Sequence, residues 1–217
     1  MRNLNNYHSF IFDCDGVILN SNKIKTDAFF KSTKSFGKIN ANKLVQYHIS
    51  NGGISRYKKF EYFYKEILKE KPKHTDLQTL CNEFAIIVFE ELKKSEINED
   101  IFRLKKKYNL NKWFVVSGGD QDELQKIFKF REIDNLFDGG IFGSPSKKTS
   151  IFKKLIKEKK IKLPSIYFGD SKYDYYSSSE CGIDFCFISN WTEVFDWKSF
   201  CKNENIEFVN NFKSFIE

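Results

Sequence analysis

Five short runs of almost unbroken apolar character punctuate the chain, at residues 9–12, 113–116, 140–142, 166–168 and 185–188. A strand with one wet face alternates apolar and polar residues. A run without that alternation reads as a strand covered on both faces, as in a parallel sheet. Helix-period segments separate most of the runs. Residues 120–131 carry Leu124, Ile127 and Phe128 on one face, and 150–160 carry Ile151, Phe152, Leu155 and Ile156. Strand and helix in alternation predict an α/β fold, a doubly wound, Rossmann-like parallel sheet.

The segment from about residue 20 to 95 interrupts this rhythm. It holds no buried-strand run and reads as four helices, near 24–36, 43–49, 55–69 and 76–94. It is expected to form a small all-helical domain inserted after the first strand, with hinges near 20–22 and 95–98. Residues 1–19 and 96–217 then make up the α/β core. A chain of 217 residues has room for both.

Each strand that matters ends in polar residues. The first runs into Asp13-Cys14-Asp15-Gly16-Val17. Residues two apart at a strand end point to the same side, so Asp13 and Asp15 face one site and Cys14 turns away. Two carboxylates so close raise each other's pKa unless a cation sits between them, and Mg²⁺ binds carboxylates together with phosphate oxygens. The second strand ends in Ser117-Gly118-Gly119, a hydroxyl and flexible amides able to hold a phosphoryl oxygen. The third leads into Gly143-Ser144-Pro145-Ser146-Lys147-Lys148, where a lysine can neutralise phosphate and keep a carboxylate ionised. The fourth leads into Gly169-Asp170-Ser171-Lys172-Tyr173-Asp174, two acids suited to a metal site. Each signal has a bland counterpart in turn-forming, helix-capping or surface residues. The order of the four along successive strands is what singles out phosphate and Mg²⁺ chemistry.

In this order the motifs resemble the haloacid dehalogenase superfamily, in its phosphatase and sugar-phosphate mutase branch, over essentially the full length. The residues that carry the resemblance are Phe12 to Ser21, Val115-Val116-Ser117 and Gly169 to Asp174, with the helical insert in the place of that family's cap. The resemblance implies that Asp13 attacks phosphorus, forming an aspartyl-phosphate, and that Asp15 protonates the leaving oxygen and then activates water. It implies Mg²⁺ held by Asp13, the main-chain carbonyl of Asp15 and Asp170, with Asp174 further out. Ser117 and the amide near Gly118 would bind phosphoryl oxygens. Family spacing favours Lys148 as the third-motif lysine, with Lys147 as the alternative. Thr149 follows where the family often has proline, which leaves the local register open. The segment Asn51-Gly52-Gly53-Ile54-Ser55-Arg56-Tyr57 resembles a loop that closes over the site in related caps, and it places Arg56 at the substrate, where a forked guanidinium suits a second anionic group. The wording around it also resembles phosphatases of bacterial surface-polysaccharide clusters, implying a phosphorylated sugar, polyol or nucleotide-sugar derivative.

Two other readings stay open at this point. A sugar-phosphate mutase shares the aspartyl-phosphate and differs in what captures it. A non-catalytic binding protein would use the net charge of +7, but the lysines are scattered along helical segments and not interleaved with stacking aromatics, so no nucleic-acid partner is expected. The five cysteines form no C-x-x-C pair, which fits reduced thiols. The polar first eight residues suggest no leader, and no apolar run reaches the ~20 residues of a membrane helix. The expectation is a cytoplasmic enzyme, by default a monomer, acting on a small phosphorylated metabolite.

Overall fold

The computed structural model describes residues 3–217, and the first two residues of the polar N-terminal segment lie outside them. Six strands form one sheet: β1 (Ser9–Phe12), β2 (Lys112–Asp120), β3 (Gly140–Ser144), β4 (Ser165–Gly169), β5 (Asp184–Ile188) and β6 (Glu207–Val209). Their order is β3-β2-β1-β4-β5-β6, and every pairing is parallel. The chain moves outward from β1 through β2 to β3 and then returns to the other side of β1. A crevice opens at such a reversal, at the carboxyl ends of the strands, and that is where open α/β sheets take ligands.

The five apolar runs are the first five strands. Alternation along them feeds two layers. Phe10 and Phe12 enter a large core with Trp113, Phe168 and Phe212, whereas Ile11 joins Phe114, Val116 and Tyr167 on the opposite face. Phe12 stacks on Phe168 at 5.1 Å and lies 4.6 Å from the Trp113 ring. Burying rings of this size on both faces gives a strand pair little freedom to slip, because a shift of one residue would send each ring to the wrong layer.

Four helices fill residues 22–92 of the interval between β1 and β2: α1 (Asn22–Thr33), α2 (Lys38–Ser50), α3 (Arg56–Tyr62) and α4 (His74–Leu92). The turns widen to a π-helix over Phe63–Leu68, directly after α3. Phe29 of α1 packs against Phe60 of α3 and Phe84 of α4, at 5.4 and 4.5 Å. The two chain crossings into and out of this insert are joined to each other. Asn20 N–H donates to the Glu96 carbonyl and Asn98 N–H to that of Ile18, both at 2.9 Å, around an antiparallel bridge between Leu19 and Ile97. The remaining helices flank the sheet: α5 (Asp100–Lys107), α6 (Gln121–Phe130), α7 (Lys148–Lys157), α8 (Lys172–Ser179), α9 (Trp197–Asn203) and α10 (Lys213–Ile216). No helix among the described residues is long and apolar enough to cross a membrane.

Candidate active site

Asp13 is the residue directly after β1, the central strand where the chain reverses. Its N–H donates to the Phe168 carbonyl at 2.9 Å, so the ladder to β4 holds it in place. The alternation of β1 persists for one more step. Cys14 joins the Phe10 and Phe12 core, and Asp13 falls on the face of Ile11. On that face α7 brings up Lys148, whose Nζ lies 2.9 Å from Asp13 Oδ2 and 2.5 Å from Asp174 Oδ1. Lys148 also donates to the Tyr167 hydroxyl at 2.9 Å, and that hydroxyl sits 2.8 Å from the Val116 carbonyl. Lys148 is 1% exposed, whereas Lys147 is exposed and caps α7. The geometry therefore sets Lys148, not Lys147, beside Asp13.

Three acids converge here. Asp13, Asp170 and Asp174 each present an oxygen within 4.8 Å of the others, all buried. Burial pushes Asp13 up to about 7 against the pull of Lys148, with Asp174 and Asp15 adding to the rise. Burial also drives Asp170 well above the carboxylate range, helped by Asp174 and Asp13. Burial works against the Lys148 ammonium, and the Asp13 and Asp174 carboxylates outweigh it. One lysine cannot neutralise three carboxylates, so the residues fit a hard divalent cation bound by oxygen. The turn is shaped around this set. At Gly16, with φ +75°, a Cβ would lie 2.0 Å from Asp170 Oδ2. Asp170 takes a hydrogen bond from Asn22 Nδ2 at 2.6 Å, and its carbonyl one from Thr192 Oγ1 at 2.6 Å. Asp174 Oδ2 accepts from Ser171 Oγ at 2.7 Å and from the amides of Ser171 and Asp170 at 3.1 and 3.3 Å. With Lys148 and Tyr167 on its other oxygen, Asp174 is engaged mostly by protein donors.

The Asp15 carboxylate stands outside that group of three but lines the same cleft as Asp13. It is ion-paired with Lys25 of α1 and accepts from Ser21 Oγ at 2.6 Å. Burial would raise its pKa, but the Lys25 charge and the hydrogen bonds win, and it lies below the ordinary carboxylate value. Ser117 ends the buried part of β2, where its Oγ accepts the Gly119 N–H at 3.2 Å. A Cβ on Gly118 would come within 2.1 Å of the Gly53 carbonyl oxygen, so the insert's glycine loop lies directly on the Ser117–Gly119 end of β2.

Arg56 is placed differently from the expectation. It lines the cleft between insert and sheet, but its fork is taken by Glu123 of α6, with Nη1 and Nη2 each 2.6 Å from a carboxylate oxygen. Tyr57 donates beside it to Asp120 at 2.7 Å. Bidentate geometry uses the donors that a second anionic group would need. Nε alone has no partner among the described residues. Asp120 also caps α6, accepting the Glu123 N–H at 3.2 Å. Several groups were not singled out from sequence: Asn22, Lys25, His48, Lys59 and Glu193 in the cleft wall, and Tyr167 buried behind Lys148. Tyr167 lay hidden in an apolar run, and the others belong to helices or loops whose approach to the sheet no local pattern encodes.

Solved structures share this architecture. A haloacid dehalogenase hydrolase of family IA, variant 3, from Entamoeba histolytica matches with TM-score 0.73 at 16% identity, covering 95% of this chain and 94% of that one. A protein from Haemophilus somnus, predicted to be a phosphoglycolate phosphatase, matches with TM-score 0.71 at 16% identity and 97% of both chains. A predicted phosphatase from Clostridium acetobutylicum matches with TM-score 0.73 at 15% identity, covering 97% of this chain and 96% of that one. At these identities the likeness is one of fold. No protein of curated function matches the sequence at significance. The family model of the haloacid dehalogenase-like hydrolases matches residues 10–188, from β1 to the end of β5, and the chain belongs to that family.

Proposed function

We propose that the protein is a Mg²⁺-dependent phosphatase of small phosphate monoesters, with Asp13 as nucleophile and the helical insert as its cap. The observation that supports this most is the pairing of a buried Asp13 with Lys148 beside two further carboxylates. A buried carboxylate at the end of the central strand stays nucleophilic only if positive charge offsets its desolvation, and here one lysine supplies part of it. Mg²⁺ bound by Asp13, Asp170 and the Asp15 carbonyl, with Asp174 behind them, would neutralise the phosphoryl oxygens that otherwise repel the attacking carboxylate.

Asp13 attacks phosphorus as the bond to the ester oxygen breaks. Asp15 passes to that oxygen a proton drawn from the Lys25 ammonium with which it is paired. The resulting Asp15 carboxylate then takes a proton from water, which attacks phosphorus and frees Asp13. Ser117 and the Gly118 amide hold the phosphoryl oxygens from the β2 side. The glycine loop above them excludes bulk water while chemistry proceeds. Phosphate release from a broad panel of sugar, polyol and amino-alcohol phosphates, with and without Mg²⁺, tests the reading. Release that requires Mg²⁺ supports it. A folded protein inert toward every member contradicts it.

The Arg56–Glu123 pair joins cap to core, so its loss should impair closure. Arg56→Ala is expected to lower kcat/KM by about 10- to 100-fold, and Glu123→Gln to reproduce most of that loss. If Arg56 instead serves the substrate alone, Glu123→Gln stays near wild type, and steady-state kinetics on the two variants separates these outcomes.

A further inference from the structure

Arg56 and Lys59 stand three residues apart on α3 and so share the face turned to the cleft. Their situations differ. Of the three cations that line the cleft, Lys25 is paired with Asp15 and Arg56 with Glu123. Lys59 has no ion pair to any carboxylate among the described residues. It is 1% exposed, its Nζ lies 2.6 Å from His48 Nδ1, and the Phe29 ring is 5.4 Å away. In either protonation state Lys59 Nζ carries more hydrogens than its one contact with His48 Nδ1 can use. His48 Nε2 is buried with no partner. Two neighbouring side chains of the cleft wall thus carry buried polar groups that no described partner satisfies. A buried donor left without an acceptor is costly, and such a pair facing a cleft is explained by an acceptor that arrives.

We propose that Lys59, backed by His48, is the specificity-determining contact for an anionic oxygen group, a carboxylate or a second phosphate, carried by the leaving alcohol. The inference rests on the phosphatase reading of the cleft and narrows it to substrates with a charge at each end. The surroundings agree with the geometry. Burial, then Lys25, hold Lys59 down to about 7, with Lys148 adding to the effect. Desolvation penalises any lone charge there, but the Lys25 and Lys148 charges that disfavour the cation favour an incoming anion, which Lys59 would then pair. Asp15 and, from the loop after β5, Glu193 oppose this at longer range, and Glu193 is itself occupied by Thr26 Oγ1 at 2.8 Å. His48 is held neutral by burial and by the adjacent Lys59 and Lys25. Because Lys59 lines the same cleft as Asp13 and Asp15, the anionic group belongs on a compact alcohol.

The test is binding, read by calorimetry with Mg²⁺ on Asp13→Asn protein, so that it does not depend on turnover. The probes share a three-carbon chain: glycerol phosphate with a neutral end, phosphoglycerate with a carboxylate, and glycerol bisphosphate with a second phosphate. The expected result is binding of at least one charged-end probe tighter than glycerol phosphate by about 30-fold or more. At pH 8 its binding should take up close to one proton more than glycerol phosphate does, beyond the probe's own ionisation, as the Lys59 amine becomes an ammonium. Which charged probe prevails identifies the group. Adding Lys59→Met should bring the preference to within about threefold of unity and remove the proton uptake. Equal binding of all three probes overturns the inference, as does a preference without proton uptake. If Lys59→Met does not fold, the two readings on Lys59-containing protein still decide. Failure of every ester in the phosphate-release panel would instead bear on the phosphatase reading.

Discussion

Replacing Asp13 by Asn is expected to lower phosphate release by at least about 10⁴-fold while leaving the fold intact. The amide has nearly the shape of the carboxylate, can still accept from Lys148 and fits the same place after β1. What it loses is the lone pair with negative charge that attacks phosphorus. Substrate binding should survive, because Ser117 and the cap are untouched and removing the Asp13 charge removes a repulsion toward the phosphate oxygens. Initial rates over a range of ester concentrations check this. A fall in kcat with KM little changed is the expected pattern, whereas a rise in KM with kcat preserved would place Asp13 in binding alone.

Lys148→Met should have the second large effect, on stability as well as on rate. The lysine is the charge that faces Asp13 and Asp174 inside the protein. Its removal leaves buried carboxylates uncompensated, a change that typically costs about 3–5 kcal/mol. The loss should depend on pH. Burial already raises Asp13 from 3.8 to about 7, although Lys148 lowers it. Without Lys148 it rises further. A carboxyl whose folded-state pKa exceeds its unfolded value binds more protons when folded, so its contribution to stability falls as pH rises from the unfolded toward the folded value. Urea denaturation in the presence of a chelator should therefore show a larger deficit at pH 8 than at pH 5. A deficit of equal size at both would mean that Lys148 acts mainly through packing.

Strand and helix alternation made the α/β core legible because β1 to β5 are apolar runs on both faces. β6 escaped notice for a physical reason. It is an edge strand of three residues, and only Val209 is buried. α5 escaped likewise, with Ile101 and Leu104 as its buried residues among basic ones. The residues Asp13, Asp15, Ser117, Asp170 and Asp174 stood out because each follows an apolar run, and the carboxyl ends of such runs in a parallel sheet converge on one edge. The helical insert has no such rule. Lys25 lies ten residues beyond Asp15, and nothing local says that α1 turns it back onto that carboxylate. Arg56 shows the same limit from the other side. A forked cation near a glycine loop reads as a substrate contact, yet its partner Glu123 lies 67 residues away on α6, and only tertiary packing brings the two together.

The central claim is that Asp13 itself carries the phosphoryl group. Asp15→Asn provides the most direct test with p-nitrophenyl phosphate, an ester whose leaving group needs no proton. The first step should proceed in this variant, and the second should stall for want of the base. The account predicts a burst of nitrophenolate of about one equivalent per protein, followed by slow release, with the added mass of a phosphoryl group on the acid-quenched peptide that contains Asp13. Linear release with no burst and an unmodified Asp13 peptide would contradict it.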